Sequence, residues 1–464
     1  MSASYTEFVR RKQLKVPPTG MERVPALSGS LFPHQQDLTQ WALRRGRAAI
    51  FADTGLGKTR IEIEWAKHVA CATGGRVLIL APLAVSRQTV AEGETMGVRV
   101  VEVREQGDGQ DARIHITNYE RLHKFTTNDY AGVVLDESSI IKHHDAKTFS
   151  RLTDAFDRHA WRLCATATPA PNDYAELGTH AEFLGICSRA EMLSEYFVHD
   201  GGETQKWRLK GHARGAFWAW VASWGALVKR PSDLGHDDSG YNLPPLTVIN
   251  HEVASPPEEV AAMGMLFAPV AAGLMERRQA RSRSVGSRVA AVAEMVNASA
   301  DPWVVWCELN SESEALTRAI PDAVEVRGSQ SIDDKESRLA SFASGASRVI
   351  VTKPSIAGFG LNWQHASHMA FVGVNDSWES YYQAVRRCWR FGQRSPVEVH
   401  VFASDAEGNV VANLQRKEEE ARAMGEQLAA MTGASVRANV LGSIRDTNSY
   451  APTSEMEIPA WLRQ

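Results

Sequence analysis

Short apolar runs alternate with amphipathic stretches along most of this 464-residue chain. Runs such as 76–81 and 131–136 have the length of buried strands, and the stretches that follow them carry apolar residues at helical spacing. Apolar strands that alternate with helices predict a parallel sheet covered by helices on both faces. The first series predicts strands at 47–51, 76–81, 98–103, 113–117, 131–136 and 161–165.

The alternation breaks between residues 187 and 245, where several tryptophans lie among lysines and arginines. Phe217, Trp220, Val221 and Trp224 recur at i, i+3, i+4 and i+7, so we predict a helix that turns this side toward the core. A mixture of basic and aromatic residues can also line a nucleic-acid groove, and the rest of the interval leaves both interpretations open.

Strand–helix alternation then resumes. We predict a strand at 247–253 and helices around 257–280 and 286–298, followed by a second α/β series. Its strands are predicted at 303–307, 323–326, 348–352, 366–374 and 397–402, and a charged helix is predicted from 410 to about 431. The predicted fold class is therefore α/β, with two parallel-sheet lobes, a helical insertion and a C-terminal helix.

The same patterns give an expected domain division. It consists of an N-terminal arm at 1–30, a first lobe at 31–245 with a helical insertion at about 187–240, a linker with helices at 246–300, a second lobe at 301–409, and a C-terminal helix and tail at 410–464.

Composition narrows the class of protein only a little. The net charge is −4, so any binding to nucleic acid has to come from local basic patches. The five cysteines are scattered without a C-x-x-C pair, which favours reduced cysteines of an intracellular protein over zinc ligands or disulfides. No apolar run reaches the length of a membrane span, and we expect a cytoplasmic location.

A glycine-rich turn at 51–59 has the strongest chemical signature in the chain. It follows a predicted strand and precedes a predicted helix, which is the order of a phosphate-binding loop. Gly55 and Gly57 let backbone N–H groups close around an anion, and the helix N-terminus favours negative charge. Lys58 is placed to contact the β- and γ-phosphates, and Thr59 to bind Mg²⁺ through its hydroxyl. The turn predicts a bound nucleotide with Mg²⁺.

Two adjacent carboxylates end the predicted strand at 131–136. Asp136 is predicted to hold Mg²⁺, largely through its water shell, and Glu137 to orient and activate the attacking water. The hydroxyls of Thr166 and Thr168 follow the next strand, and they can bond these carboxylates or form a plain turn.

Other candidate groups lie on either side of these motifs. Gln35, upstream of the phosphate loop, can present its amide to adenine. Arg387 and Arg390 lie one turn apart on a helix predicted around 377–388, so their guanidinium groups share a face. Two such groups suit a phosphoryl-transfer transition state, although an arginine-rich helix alone would more often bridge an acidic surface. The phosphate loop and the Asp136–Glu137 pair favour catalysis.

These motifs together resemble the core of superfamily-two helicases, and most of all the Swi/Snf-type double-stranded DNA translocases in a compact bacterial or phage form. The resemblance runs from about 31 to 403. The residues that carry it include Gln35 and Trp41 of the adenine motif, Asp136-Glu137 of the D-E-x-H box, Thr168-Pro169, Gly358 and Gly360 of motif V, and Gln383, Arg387 and Arg390 of motif VI. The chain departs from the pattern with Ser138-Ser139 in the D-E-x-H box and with Trp389 at the usual His of motif VI.

The resemblance implies two RecA-like lobes with ATP and Mg²⁺ in the cleft between them, and double-stranded DNA as the partner. It places Gly360 and Gln383 among the nucleotide-binding residues. We expect a monomer in which closure on ATP and reopening after hydrolysis move the lobes along DNA. The basic residues considered for phosphate contacts are Arg208, Lys210, Arg277, Arg278 and Arg281.

Two other functions remain open at this stage. A strand-separating DNA or RNA helicase would have the same ATPase. A nucleotide-gated adaptor without catalysis would bind ATP and recruit other proteins, although Lys58, Glu137, Arg387 and Arg390 argue against it.

Overall fold

The computed structural model describes most of the chain. The described residues are 17–82, 85–170, 173–199, 207–254, 279, 281–357, 362–374, 377–404 and 410–441. The predicted helix around 257–280 lies almost wholly outside these ranges, and so does Gly360.

A seven-stranded parallel sheet forms the first lobe, in the order β3-β4-β2-β5-β6-β1-β9. Its strands are β1 Arg47–Ala52, β2 Arg76–Ala81, β3 Val100–Glu102, β4 Ile114–Asn118, β5 Tyr130–Asp136, β6 Trp161–Ala165 and β9 Gly225–Val228. A short antiparallel ribbon, β7 Phe197–His199 with β8 Trp207–Leu209, lies apart from it. Along β2, Leu78 and Leu80 pack into one core and Val77 and Ile79 into another, because both faces of the sheet are covered.

Seven helices accompany this sheet within the described residues. They are α1 Pro33–Arg45, α2 Lys58–Thr73, α3 Ser86–Thr95, α4 Lys147–Phe156, α5 Leu177–Phe183, α6 Arg189–Tyr196 and α7 Arg214–Trp224. Helix α7 carries the predicted apolar side: Phe217, Trp220, Val221 and Trp224 are all buried in the core. The core interpretation of these residues is confirmed.

The second lobe has a six-stranded parallel sheet in the order β10-β15-β14-β11-β13-β12. Its strands are β10 Leu246–Val253, β11 Trp303–Trp306, β12 Ala323–Val326, β13 Val349–Thr352, β14 His368–Phe371 and β15 Val397–Ser404. Its helices are α8 Val285–Asn297, α9 Asn310–Ala319, α10 Ile332–Ala343, α11 Pro354–Ala357 and α12 Trp378–Val385. Two parallel-sheet lobes of RecA-like type confirm the predicted fold class.

The structure places two strands differently from the domain division expected from sequence. Strand β10 was expected in the linker at 246–300, but it pairs along its whole length with β15. The segment of β9 was expected to be part of the helical insertion of the first lobe, and it instead forms a strand that pairs with β1 at the edge of the first sheet. Both are edge strands, and pairing with a distant strand gives no local signal in the sequence. The other expected boundaries stay predictions.

A long last helix, α13 Val410–Leu441, follows the second sheet and ends on the first lobe. Val436 and Val440 are buried in the same core cluster as Leu38 of α1. The Nη2 group of Arg45 donates to Oδ1 of Asn439 at 3.3 Å. The helix is longer than the predicted 410–431 because this contact with the first lobe stabilises its last turns. Within the described ranges, no helix has both the length and the hydropathy that a membrane crossing requires.

Candidate active site

The phosphate loop joins β1 to α2. Gly55 and Gly57 have φ angles of 93° and 79°, values that favour glycine. A Cβ atom at Gly57 would lie 2.2 Å from Nε2 of Gln35, and one at Gly55 would lie 2.9 Å from Cβ of Phe391. Glycine is therefore required here by backbone conformation and by two close neighbours, one of them in the second lobe.

Lys58 begins α2 and turns its side chain back over the loop. Its Nζ donates to the carbonyl oxygen of Ala52 at 2.9 Å and lies 3.5 Å from that of Asp53. The loop's backbone and the helix N-terminus add positive potential at the same place, where Thr59 is the second helical residue. This arrangement suits a bound phosphate chain.

The acidic pair lies at the end of β5, two strands from β1, and β6 lies between them. Burial, followed by the charge of Glu137, raises the pKa of Asp136 to about 7. A bound divalent cation would offset the cost of ionising the Asp136 carboxyl in this buried position, since the cation favours the ionised carboxylate. The buried Asp136 therefore fits the role of Mg²⁺ partner.

Glu62 is a third carboxyl group at this position, and the sequence analysis missed it. It lies on α2, is 1% exposed, and its pKa is raised well above the ordinary value by burial and then by Asp136. Neither of its oxygens makes a hydrogen bond of good geometry, although the Asp136 carboxyl is close. A buried carboxyl in this condition supports the fit of a cation beside Asp136. The sequence signal that could have identified Glu62 is its position four residues after Lys58, which places both residues on the same side of α2.

Glu137 has a strained backbone. Its φ is 50°, and among the described residues it is the one non-glycine residue with positive φ. Such a conformation costs of order 1–3 kcal/mol and persists where the surroundings enforce it, often at active sites. The hydroxyl of Thr166, at the end of β6, points to Oε2 of Glu137 at 3.5 Å. Thr166 therefore does approach the acidic pair, as the sequence suggested.

Gln35 lies against the phosphate loop. Its Nε2 donates to the carbonyl oxygen of Leu56 at 3.1 Å, and its Oε1 accepts from the backbone N–H of Phe32 at 3.0 Å. These two bonds fix the amide and leave it one further donor and one further acceptor position for a base.

Aromatic rings from both lobes border this side of the loop, and sequence reasoning missed them. The rings of Tyr241 and Phe391 are 4.7 Å apart, and that of Phe32 is 6.3 Å from each. Phe391 belongs to motif VI, and a flat apolar base can pack on such rings.

The two predicted catalytic arginines do not lie on a helix, so that prediction is wrong. Helix α12 ends at Val385, and a series of tight turns carries Arg387 and Arg390. The amide of Gln393 fixes the far end of these turns by donating to the carbonyl oxygens of Ala366 and Cys388, at 3.0 and 3.2 Å. Tertiary hydrogen bonds therefore override the local helical pattern.

The turns still bring the arginines together. Burial, followed by the neighbouring charges of Arg387 and Arg386, lowers the pKa of Arg390 to about 9. Burial lowers the pKa of Arg387, Glu137 across the cleft partly offsets this, and the pKa is about 10. Gln383 orients Arg387, whose Nη2 donates to Oε1 of Gln383 at 3.0 Å. A buried group of like charges facing Glu137 fits a multiply charged anion.

A third arginine, Arg386, joins the two lobes directly. Its Nη2 lies 3.0 Å from Oδ1 of Asp53 and donates to the carbonyl oxygen of Thr54 at 3.1 Å. The hydroxyl of Tyr382 donates to the same Asp53 oxygen at 2.8 Å. Motif VI is thus bonded to two phosphate-loop residues, and the sequence analysis did not single out either Arg386 or Asp53.

Further contacts cross the cleft beside the acidic pair. Glu379 of α12 makes an ion pair with Lys142 and accepts from the hydroxyl of Thr168 at 3.3 Å. A cavity of about 580 Å³ lies next to Glu137 and has walls from both lobes, including Lys142 and Lys335. A change at the nucleotide can therefore reach the contact between the lobes through Thr166 and Thr168.

Two of the five basic residues considered for DNA are placed unfavourably. The Nζ of Lys210 donates to the carbonyl oxygens of Ser194 and Glu195, both at 2.8 Å, and Arg281 is buried. Arg208 is exposed, while 277 and 278 lie outside the described residues. Burial argues against Arg281 as a phosphate contact, whereas Lys210, which is half-buried and keeps its charge, stays a prediction.

Comparison with known proteins assigns these features to a class. Residues 34–197 match the family described as SNF2-related domain, and residues 287–392 match the family described as helicase conserved C-terminal domain. The two matched segments contain the phosphate loop, the acidic pair and the three arginines. This chain is a helicase-type ATP-hydrolysing enzyme, and it belongs to the helicase-like ATPases of superfamily two, of the Swi/Snf type.

Other comparisons add little to this assignment. The structure of the Sulfolobus solfataricus SWI2/SNF2 ATPase core in complex with dsDNA is similar with a TM-score of 0.41 and 18% sequence identity, over 92% of this chain and 99% of that chain. This likeness is too weak to carry an argument. No curated protein sequence matches the chain.

Proposed function

We propose that the protein couples ATP hydrolysis to movement along double-stranded DNA. The observation that carries the proposal is the position of Arg386, Arg387 and Arg390 across the cleft from the phosphate loop and the acidic pair. A site completed from two lobes hydrolyses ATP only when they are together, so each turnover is linked to a change in their contact.

In this proposal each residue has a catalytic role that its position supports. Lys58 and the loop's N–H groups bind the β- and γ-phosphates, and Glu137 takes the proton of the attacking water. Arg387 and Arg390 neutralise the charge that develops on the transferred phosphoryl group. Thr59 and Asp136 would hold Mg²⁺, largely through its water shell, and the ion would supply charge neutralisation there. Gln35 contacts the base in this proposal, and Gly360, which lies outside the described residues, is a nucleotide contact that only the resemblance implies.

The partner in this proposal is double-stranded DNA. The resemblance to Swi/Snf-type translocases supports this choice over single strands or RNA. Because the net charge is −4, binding has to rely on local lysine and arginine contacts with phosphate and should weaken as salt rises. Arg208 remains a candidate for such a contact.

The test measures ATP turnover with duplex DNA, single-stranded DNA, forked DNA and RNA, together with displacement of a third strand from a triplex. We expect duplex DNA to stimulate turnover most, and the third strand to leave without separation of the duplex. Lys58→Ala is the control without turnover. Strand separation would indicate a helicase, and absence of ATP hydrolysis with every nucleic acid would indicate an adaptor.

A further inference from the structure

A group of histidines and one glutamate lies at the amino ends of β14 and β15. His368 is the first residue of β14, and Glu398 is the residue directly opposite it on β15. His400 follows Glu398 by two positions and therefore shares its face of the sheet. The turns that carry the arginines lead into β15, and Gln393 at their far end donates to the carbonyl oxygen of Ala366, two residues before β14.

The three side chains converge on one point. Oε2 of Glu398 lies 3.7 Å from Nδ1 of His368 and 3.6 Å from Nε2 of His400. One ligand atom from each residue lies within 4.8 Å of the other two. Bonds of about 2.0–2.1 Å to a tetrahedral zinc ion separate its ligands by about 3.4 Å. The group therefore needs only a small contraction to surround an ion.

One further group faces the other ring nitrogen of each histidine. Oδ2 of Asp301 lies 3.7 Å from Nε2 of His368, beyond hydrogen-bond distance, and the same contraction that closes the group on an ion would bring it near enough to hold a proton there and leave Nδ1 as the ligand atom. Nδ1 of His400 is 2.9 Å from Nε2 of His251, so a proton there leaves Nε2 as the ligand atom. Carboxylate or imidazole partners behind ligating histidines are typical of metal sites.

The burial and contacts of these side chains also favour a bound metal ion over a plain ion pair between the histidines and Glu398. Nδ1 of His368 is buried and makes no hydrogen bond, and Glu398 is too far from it to supply one. The His368 ring is fixed by stacking on Trp303, with ring centroids 5.0 Å apart. The Glu398 side chain is 45% exposed, which leaves a path for an ion and room for water as a fourth ligand.

We propose that His368, Glu398 and His400 bind one zinc-class divalent ion, with Asp301 and His251 as the groups behind the histidines. Two histidines and one carboxylate are a donor set that zinc uses in proteins. The ion ties the start of β14 to the start of β15, so its role is to stabilise the second lobe. The proposal does not depend on the nature of the nucleic-acid partner.

The test titrates full-length protein, first freed of zinc-class ions, with ZnCl₂. Saturating Mg²⁺ and ADP are present and occupy the nucleotide site. We expect one zinc ion per chain and a higher Tm with zinc. Glu398→Gln, a change of nearly equal size at an exposed side chain, should lose most of the binding and the Tm increase. Asp301→Asn should weaken binding by about 10–100-fold.

His123→Ala removes an exposed histidine of the first lobe and is the matched control, which should bind zinc as the unchanged protein does. Co²⁺ in place of zinc should give visible absorption bands of tetrahedral intensity that Glu398→Gln removes. DNA-stimulated ATP turnover should stay within about twofold in Glu398→Gln. Absence of stoichiometric zinc binding, or equal binding by Glu398→Gln and the unchanged protein, would overturn the proposal.

Discussion

The two lobes bring their catalytic groups to the cleft by different means. In the first lobe, Lys58, Asp136 and Thr166 lie at or just after the ends of neighbouring strands, so the sheet itself sets their spacing. In the second lobe, Arg387 and Arg390 lie in turns beyond the end of α12 and are held by side-chain and inter-lobe contacts. The first half of the site is therefore built by one sheet, whereas the second depends on contacts between distant segments.

This difference predicts a separation of binding from turnover. Phosphate binding needs mainly the first lobe, since the loop and helix N-terminus are complete there. Neutralisation of the transition-state charge requires the second lobe to be in contact with the first. Substitutions in the two lobes should therefore change different kinetic quantities.

Lys58→Ala should have the largest effect. It removes the cation over the phosphate loop, so ATP hydrolysis should be abolished and ATP affinity should fall. Turnover with duplex DNA and equilibrium binding of a fluorescent ATP analogue measure the two quantities. Hydrolysis near the level of the unchanged protein would show that this loop is not the phosphate site.

Arg390→Ala should leave ATP affinity nearly intact and lower DNA-stimulated turnover by roughly 10²–10⁵-fold, in the range of arginine fingers. Arg387→Ala should act similarly, with a larger effect on binding if it contacts ATP before hydrolysis. Arg390→Lys is the sharper variant, because a bidentate guanidinium contact does not accept an ammonium group. Unchanged turnover of Arg390→Lys at saturating ATP and duplex DNA would falsify the finger assignment.

Glu137→Gln should lower turnover by about 10²–10⁴-fold while ATP binding persists, because the attacking water loses its base and Asp136 is retained. Slow release of ATP in a filter-binding assay should show that the closed state accumulates. Normal turnover would mean that another group takes the proton.

Substitutions at the contact between Asp53 and Arg386 test directly whether the catalytic groups of the second lobe depend on contact with the first lobe. Arg386→Asp should lower kcat by about tenfold or more, because it places two carboxylates together and separates motif VI from the loop. The exchanged pair Asp53→Arg with Arg386→Asp should recover part of the loss, which a separate structural role for each residue would not produce. A double-mutant cycle on kcat gives the coupling energy, and strict additivity would count against a role in joining the lobes.

The smallest expected effect concerns pH. Since the pKa of Asp136 is raised to about 7, Mg²⁺ competes with a proton there, and Mg·ADP affinity should fall about tenfold per pH unit below about 7. Arg387 and Arg390 stay charged throughout this range, so their contribution to Mg·ADP affinity should not change with pH. Without metal, folding stability should fall as pH rises from about 4 to 7, because the unfolded chain ionises this carboxyl first. Calorimetric titrations with Asp136→Asn as the control measure the first effect, and a pH-independent affinity would contradict it.

Local pattern was sufficient wherever a segment's structure depends on its own residues. The predicted strands at 76–81, 161–165 and 323–326 have the bounds observed for β2, β6 and β12. The glycines of the phosphate loop were predicted from their conformational freedom, and their positive φ angles agree. Prediction failed for Arg387 and Arg390 as helical residues, because hydrogen bonds from Gln393 compete with the helix there.

The two α/β series, the phosphate loop, the acidic pair and the arginine motif could all be predicted before the fold was known, because each consists of nearby residues with a fixed period or spacing. Only the tertiary structure placed Glu62 beside Asp136, Arg386 on Asp53, and His368 opposite Glu398. These pairs join residues that are distant in the chain, and their contact depends on strand order and on the packing of one lobe against the other. Neither of these has a signature in the local pattern of apolar and polar residues.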